Sequence, residues 1–178
     1  MVFEITENFL ENLSALIESN NQSEITALFK EVHFADIAEV LEELNFEEAI
    51  YIIKLLDSEK TSEILTELDE DIREKILENL SAKEIADEVG EMDTDDAADI
   101  IGELSDERQK NVINALEDDE LAADIKELLS YEDNTAGSLM AKELVKVYET
   151  WTVAGCMRRI RGQAKDVTRV HSIYVVDK

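Results

Sequence analysis

Proline is absent from the 178 residues, where ordinary usage would place about nine. Only five glycines are present, so sharp chain reversals are few. The single cysteine, Cys156, excludes an internal disulfide, and two histidines make no Cys/His cluster for zinc or haem. Positive charge is scarce: 17 Lys+Arg stand against 44 Asp+Glu, a net of −27. A nucleic-acid backbone or an anionic bilayer surface would be repelled, which argues against either as a partner. The opening MVFEITENFL has no basic region before an apolar one, unlike a signal peptide. The longest apolar stretch, 49–56, is interrupted by Lys54 and falls far short of the ~20 residues that cross a bilayer. Yet 44% of the residues are hydrophobic, too many for a disordered acidic tail. Composition alone therefore reads as a soluble, acidic, mostly helical intracellular chain.

The acidity is confined to one part. Residues 1–130 carry 38 Asp+Glu against 9 Lys+Arg, a net of −29, whereas 131–178 carry 6 against 8, a net of +2. The second part also holds Trp151 and the β-branched runs VKV and SIYVVD. Turn-forming Asn134, Gly137 and Ser138 follow the join. The expected organisation is an acidic helical domain over 1–130, a linker over 131–140, and a second unit over 141–178.

A twelve-residue repeat runs through the acidic part. From His33 it reads HFADIAEVLEEL, NFEEAIYIIKLL, DSEKTSEILTEL, DEDIREKILENL, SAKEIADEVGEM, DTDDAADIIGEL and SDERQKNVINAL, and then DDELAADIKELL after one inserted residue, Glu117. Of the eight first positions, seven are good N-cap residues: Asn45, Asp57, Asp69, Ser81, Asp93, Ser105 and Asp118. Oxygens there accept free N–H groups of the first helical turn. Asn45 with Glu48, and Ser81 with Glu84, have capping-box spacing. Positions 5, 8, 9 and 12 are usually apolar and build one stripe per helix. Each unit accommodates a helix of about nine residues, too short to be stable alone. The units are therefore expected to stack as antiparallel hairpins into an all-α superhelical solenoid. Two further helices are expected at 6–19 and 23–32, broken at Ser19, Asn20 and Asn21.

Unit positions 3 and 7 lie opposite the apolar stripe. In the sixth unit these are Asp95 and Asp99, one helical turn apart, with Asp96 beside them. Two carboxylates ~8 Å apart repel by about 2 kcal/mol at an effective dielectric near 20, less with salt. A divalent cation removes that cost, and oxygen-only ligands suit Mg²⁺ or Ca²⁺ rather than zinc or copper. The same face also serves simply to keep a helical repeat soluble, and spacing does not choose between the two.

After Tyr131 the expected order is a strand at 145–148, a helix capped by Thr152, and a strand at 172–177. Val153, Met157 and Ile160 share a face of that helix, Cys156 is expected in its core, and Trp151 is expected to pack at its entry. Arg158, Arg159, Arg161 and Lys165 form a basic cluster that either meets the acidic repeat or is solvated. His33 and His171 have no nearby nucleophile, and no catalytic constellation can be named, so no enzyme is expected. A β-α-β unit without a third element leaves open edges, and the chain is expected to continue past Lys178.

The run YEDNTAGSLMAKELVKVYETWTVAGCMRRIRGQAKD, followed by YVVD, resembles the linker and first CBS-domain half of MgtE-type magnesium transporters, and MDTDDAADIIGEL resembles their N domain. That resemblance implies an incomplete α+β CBS segment after the solenoid. It also implies a regulatory, Mg²⁺-sensing region on the cytoplasmic side of a membrane transporter, although the fragment itself is soluble. Regulatory Mg²⁺ of millimolar affinity would be held by Asp95, Asp96 and Asp99, more loosely by Glu63, and by the backbone carbonyl around Ser138, favouring a closed state. The implied partners are the remaining CBS domains and the transmembrane pore of the same protein, with a homodimer formed through the CBS domains. No nucleotide is assigned. The alternative is a helical-repeat interaction scaffold like that of the flagellar switch protein FliG, which has no reason to carry the TAGSLM, WTV and YVVD segments.

Overall fold

The computed structural model describes residues 3–132, 135–164, 167, 170 and 172–177. Asn134, Lys165, Asp166 and His171, singled out above, lie outside the described residues. Eleven helices and two strands are present among the described residues. The helices before the sheet are α1 (Glu7–Glu18), α2 (Gln22–Phe29), α3 (Phe34–Glu43), α4 (Phe46–Ile53), α5 (Ser58–Glu67), α6 (Glu70–Glu78), α7 (Ala82–Val89), α8 (Thr94–Gly102), α9 (Asp106–Ala115) and α10 (Asp119–Leu128). They are followed by β1 (Val145–Tyr148), α11 (Val153–Gln163) and β2 (Ile173–Val176). No described helix is long and apolar enough to cross a membrane.

The caps set the helix bounds. Side chains of Thr6, Asn45, Asp57, Ser81, Asp118 and Thr152 accept first-turn N–H groups, and His33 does so through Nδ1. Both capping boxes form, at Asn45/Glu48 and Ser81/Glu84. Asp69 and Ser105 occupy cap positions without a side-chain cap bond. At Asp69 the backbone N–H instead donates to Glu42 Oε1 at 3.1 Å. Asn20 closes α1 with φ 52°, a left-handed conformation that Asn tolerates, and its side chain accepts from the Tyr51 hydroxyl.

The chain divides into two compact units, one of residues 1–92 and 100–117, the other of residues 93–99 and 118–178. In the first, α3 packs on α5, α5 on α7 and α7 on α9, while α4 packs on α6. Helices two units apart are thus the principal neighbours, as follows when each short helix is reversed at its cap. The repeat's apolar stripe is the core: Ile37, Val40, Leu41, Ile52, Ile53, Ile64, Leu65, Ile76, Leu77, Ile85 and Val89 are buried. Each such side chain contributes roughly 1.5–3 kcal/mol.

Polar residues at stripe positions have specific work. Arg73 donates to the Leu65 and Leu68 carbonyls at the end of α5, and Gln109 to those of Gly102 and Leu104. Lys60 and Arg108, one position earlier in their units, reach carbonyls about one hairpin back: Phe29 and Lys30 for Lys60, and Leu77, Glu78 and Leu80 for Arg108. These cations satisfy helix C-terminal carbonyls that no intrahelical N–H reaches.

In the second unit β1 and β2 pair in parallel, Val145 against Ile173 through Tyr148 against Val176. Helix α11 packs on β1. Gln163 accepts the Lys146 N–H and donates to the Lys146 carbonyl, gripping the outer edge of β1. The expected core of α11 does not form: none of its residues is buried, Cys156 is only half-buried, and Val153 is 81% exposed. On the face shared by Val153, Met157 and Ile160, only Ile160 is half-buried, and the other two are exposed.

Candidate functional site

Helix α8 is built to show carboxylates on one side. Ala97, Ala98, Ile100 and Ile101 are buried, which turns Asp96 and Asp99 outward and leaves Asp95 half-buried. Asp95 and Asp96 stand in the first turn, where the helix dipole favours negative charge. Asp99 follows one turn later, on a face shared with both.

The start of α8 is fastened by a residue 49 positions away. Thr94, only 2% exposed, donates its N–H to Glu143 Oε1 at 3.1 Å and its hydroxyl to Glu143 Oε2 at 2.9 Å. The Lys142 N–H in turn donates to Thr94 Oγ1 at 2.8 Å. Glu143 thus serves as a cap supplied from outside the helix. Lys142 is itself paired: its Nζ lies 2.7 Å from Glu127 Oε1 on α10, and the Tyr131 hydroxyl donates to the same oxygen at 3.0 Å. The hydrogen bond from Lys142 holds the Glu127 carboxyl below its ordinary value, and the same contact raises the Lys142 ammonium.

The remaining candidates are placed as follows. Ser138 is half-buried in the same unit as Asp95, and both its N–H and its hydroxyl bond to Thr135. Glu63 is exposed on α5, in the first unit. Among the described residues, no three Asp, Glu, His or Cys side chains converge in a metal-holding group. The α8 donors are nonetheless oxygen-only, and Mg²⁺ keeps several waters and is commonly held by one or two carboxylates, so their chemistry fits that ion.

Two features went unforeseen. The first is the cap from Glu143. The second is Glu88 on α7, which is 9% exposed and whose Oε2 is buried without a hydrogen-bond partner. Burial, reinforced by Asp87, Asp57, Glu84 and Glu91, pushes its carboxyl up to about 8. The signal was visible, since Glu88 occupies position 8 of its unit, a place otherwise apolar.

On α11, the Arg159 guanidinium stands 5.6 Å from the centre of the Trp151 ring, and Trp151 meets Tyr148 edge-on at 5.0 Å. Lys146, Tyr148, Trp151, Arg158, Arg159 and Gln163 share a shallow groove. Trp151 thus packs at the helix entry as expected, and Arg159 is engaged with it by a cation–π contact.

A family model described as the MgtE intracellular N domain matches residues 32–134. The magnesium transporter MgtE of Enterococcus faecalis is 42% identical over 59 residues, covering 33% of this chain and 13% of that protein. Its counterpart from Thermus thermophilus is 41% identical over 56 residues, 32% of this chain and 12% of that protein. The matched segment thus spans only a small part of either relative. A crystal structure of the soluble part of a magnesium transporter superposes with a TM-score of 0.77 and 26% identity, over 97% of this chain and 68% of that one. The cytosolic domain of the Mg²⁺ channel MgtE, solved in complex with ATP, superposes with a TM-score of 0.84 and 27% identity, over 95% and 69%. The match to the N-domain model covers more than half of the residues, and the chain belongs to the MgtE intracellular N-domain family.

Proposed function

We propose that this chain is a Mg²⁺-sensing regulatory region on the cytoplasmic side of a magnesium transporter. In this reading residues 1–130 form a superhelical N domain, 131–140 a linker, and 141–178 the first part of a CBS domain. The full-length partners are further CBS domains, a transmembrane pore and a second copy joined through the CBS domains.

Asp95 and Asp99 carry the sensing, with Asp96, Glu63 and the carbonyl near Ser138 as further ligands. The observation that supports this most is α8 itself: three carboxylates on one short helix, Asp96 and Asp99 turned outward by four buried apolar residues and Asp95 half-buried beside them, with the helix fastened at its first residue. Without metal these carboxylates repel each other and any acidic neighbour. Once neutralised by shared Mg²⁺ they tolerate a closed arrangement, and only a difference in binding between open and closed states shifts that equilibrium. A site working near 1 mM corresponds to ~4 kcal/mol per ion, a weak affinity that suits a sensor of an abundant ion.

The test is thermal. Millimolar MgCl₂ raises the melting temperature of the chain more than NaCl at matched ionic strength. Equal shifts mean diffuse screening of the acidic surface and favour a scaffold like that of the flagellar switch protein FliG.

A further inference from the structure

The Thr94–Glu143 contact, besides capping α8, joins the residue before Asp95 to the segment entering β1. Glu143 gives both carboxylate oxygens to Thr94, and Lys142 adds a backbone N–H to the Thr94 hydroxyl. Val145, two residues on, begins β1 and is buried. Any change in how firmly Glu143 sits on Thr94 is therefore delivered to the first strand within two residues.

How firmly it sits depends on charge. Docking of Glu143 brings another carboxylate to the turn that already carries Asp95 and Asp96. The N–H groups and dipole of α8 favour it, while the neighbouring carboxylates oppose it. A cation on Asp95 and Asp96 removes the opposition and leaves the attraction. By linkage, docking of Glu143 must then favour cation binding to the same degree.

We infer that Thr94 and Glu143 form a charge-gated latch that couples cation occupancy of α8 to the ordering of residues 142–148. This rests on the Mg²⁺-sensing reading above and adds the route by which occupancy leaves the helix. Thr94 and Glu143 are positioning residues in this scheme; neither is a metal ligand. Lys142 sets the resting tension, because its pairing with Glu127 holds the same segment to α10 whether or not cation is bound.

The experiment measures amide hydrogen exchange over residues 142–148 in the 178-residue chain, in MgCl₂ and in NaCl of equal ionic strength. Calorimetric Mg²⁺ titration of the same samples runs beside it. In the unsubstituted chain, Mg²⁺ slows exchange about fivefold or more, the lower end of ordinary site-to-site coupling. Thr94→Ser, which keeps the hydroxyl, behaves the same. Thr94→Val and Glu143→Gln, with helical content checked by circular dichroism, still bind Mg²⁺ with a midpoint about two- to fivefold higher, yet lose the metal-dependent slowing. A purely structural role predicts faster exchange in both salts with the Mg²⁺ dependence intact, and that result overturns the latch. If the unsubstituted chain binds Mg²⁺ in the calorimeter without slowing at 142–148, the latch fails while the sensing reading stands. If it binds none, the sensing reading itself is wrong and the latch falls with it.

Discussion

Glu84 and Glu88 stand one turn apart on α7 and titrate in opposite directions. The Ser81 backbone N–H, the Ser81 hydroxyl and the Lys54 ammonium hold Glu84 down at about 2, while burial among other carboxylates lifts Glu88 to about 8. Glu84 therefore contributes stability that is present above its ordinary value of about 4.5 and lost as pH falls towards 2. Glu88 does the reverse. Its folded form keeps a proton that the unfolded chain releases, so stability declines as pH rises from about 4.5 to about 8. Glu88→Gln should remove that decline and stabilise the chain by about 2 kcal/mol at pH 8, with little effect near pH 4.5. Chemical denaturation at the two pH values checks it; equal effects at both would mean that folding does not raise the Glu88 carboxyl.

Arg73 on α6 and Glu103, just past α8, form an ion pair in which both side chains are more than four-fifths buried. Arg73 spends its other donors on two carbonyls at the end of α5. Removing one partner leaves a buried charge and orphaned carbonyls, so Arg73→Ala should cost about 3–5 kcal/mol. Replacing both residues by apolar ones of similar volume should recover part of the loss. A single substitution costing under 1 kcal/mol in urea unfolding would place the pair in water.

Position on α8 is tested against charge alone. Asp95→Asn or Asp99→Asn should reduce the extra thermal stabilisation by Mg²⁺ over NaCl, by about half or more if the two carboxylates share one ion. Glu39→Gln removes one exposed carboxylate from α3 and should leave the response unchanged. Similar losses in all three variants would refute the assignment to α8.

Gly137 lies under the Tyr131 ring so closely that a Cβ there would come within 2.6 Å of it. Its backbone φ is not positive, so the demand is for space alone. Gly137→Ala should destabilise by about 1–3 kcal/mol in the chain as it stands, and by much less when Tyr131 is also Ala. Additive costs in the double variant would show that the ring is not the obstacle.

Much of the helical part was legible because its signals are local. A cap, a nine-residue helix and a stripe at positions 5, 8, 9 and 12 recur every twelve residues, and the helices begin where those caps stand. The exceptions to the stripe were not foretold by the period: Arg73 and Gln109 turn from apolar positions to helix-end carbonyls. The same period set Asp95 and Asp99 opposite the stripe; Asp99 is exposed there, and Asp95 is half-buried. The fastening of α8 did not follow from it: Glu143 reaches Thr94 across 49 residues, and a pairing that distant leaves no mark on either segment. On α11 the period was read correctly and the burial was not, because periodicity says which residues share a face and never what lies against it.

The grip of Gln163 on Lys146 has a consequence for how the two-stranded sheet can grow. Lys146 has both its backbone N–H and its carbonyl engaged by one side-chain amide, on the side of β1 away from β2. An incoming strand would have to displace that amide before it could add to β1. Among the described residues no comparable side-chain grip is seen on β2, so the two margins are unequal: stray β-addition beside β1 is discouraged by a residue that belongs to a helix.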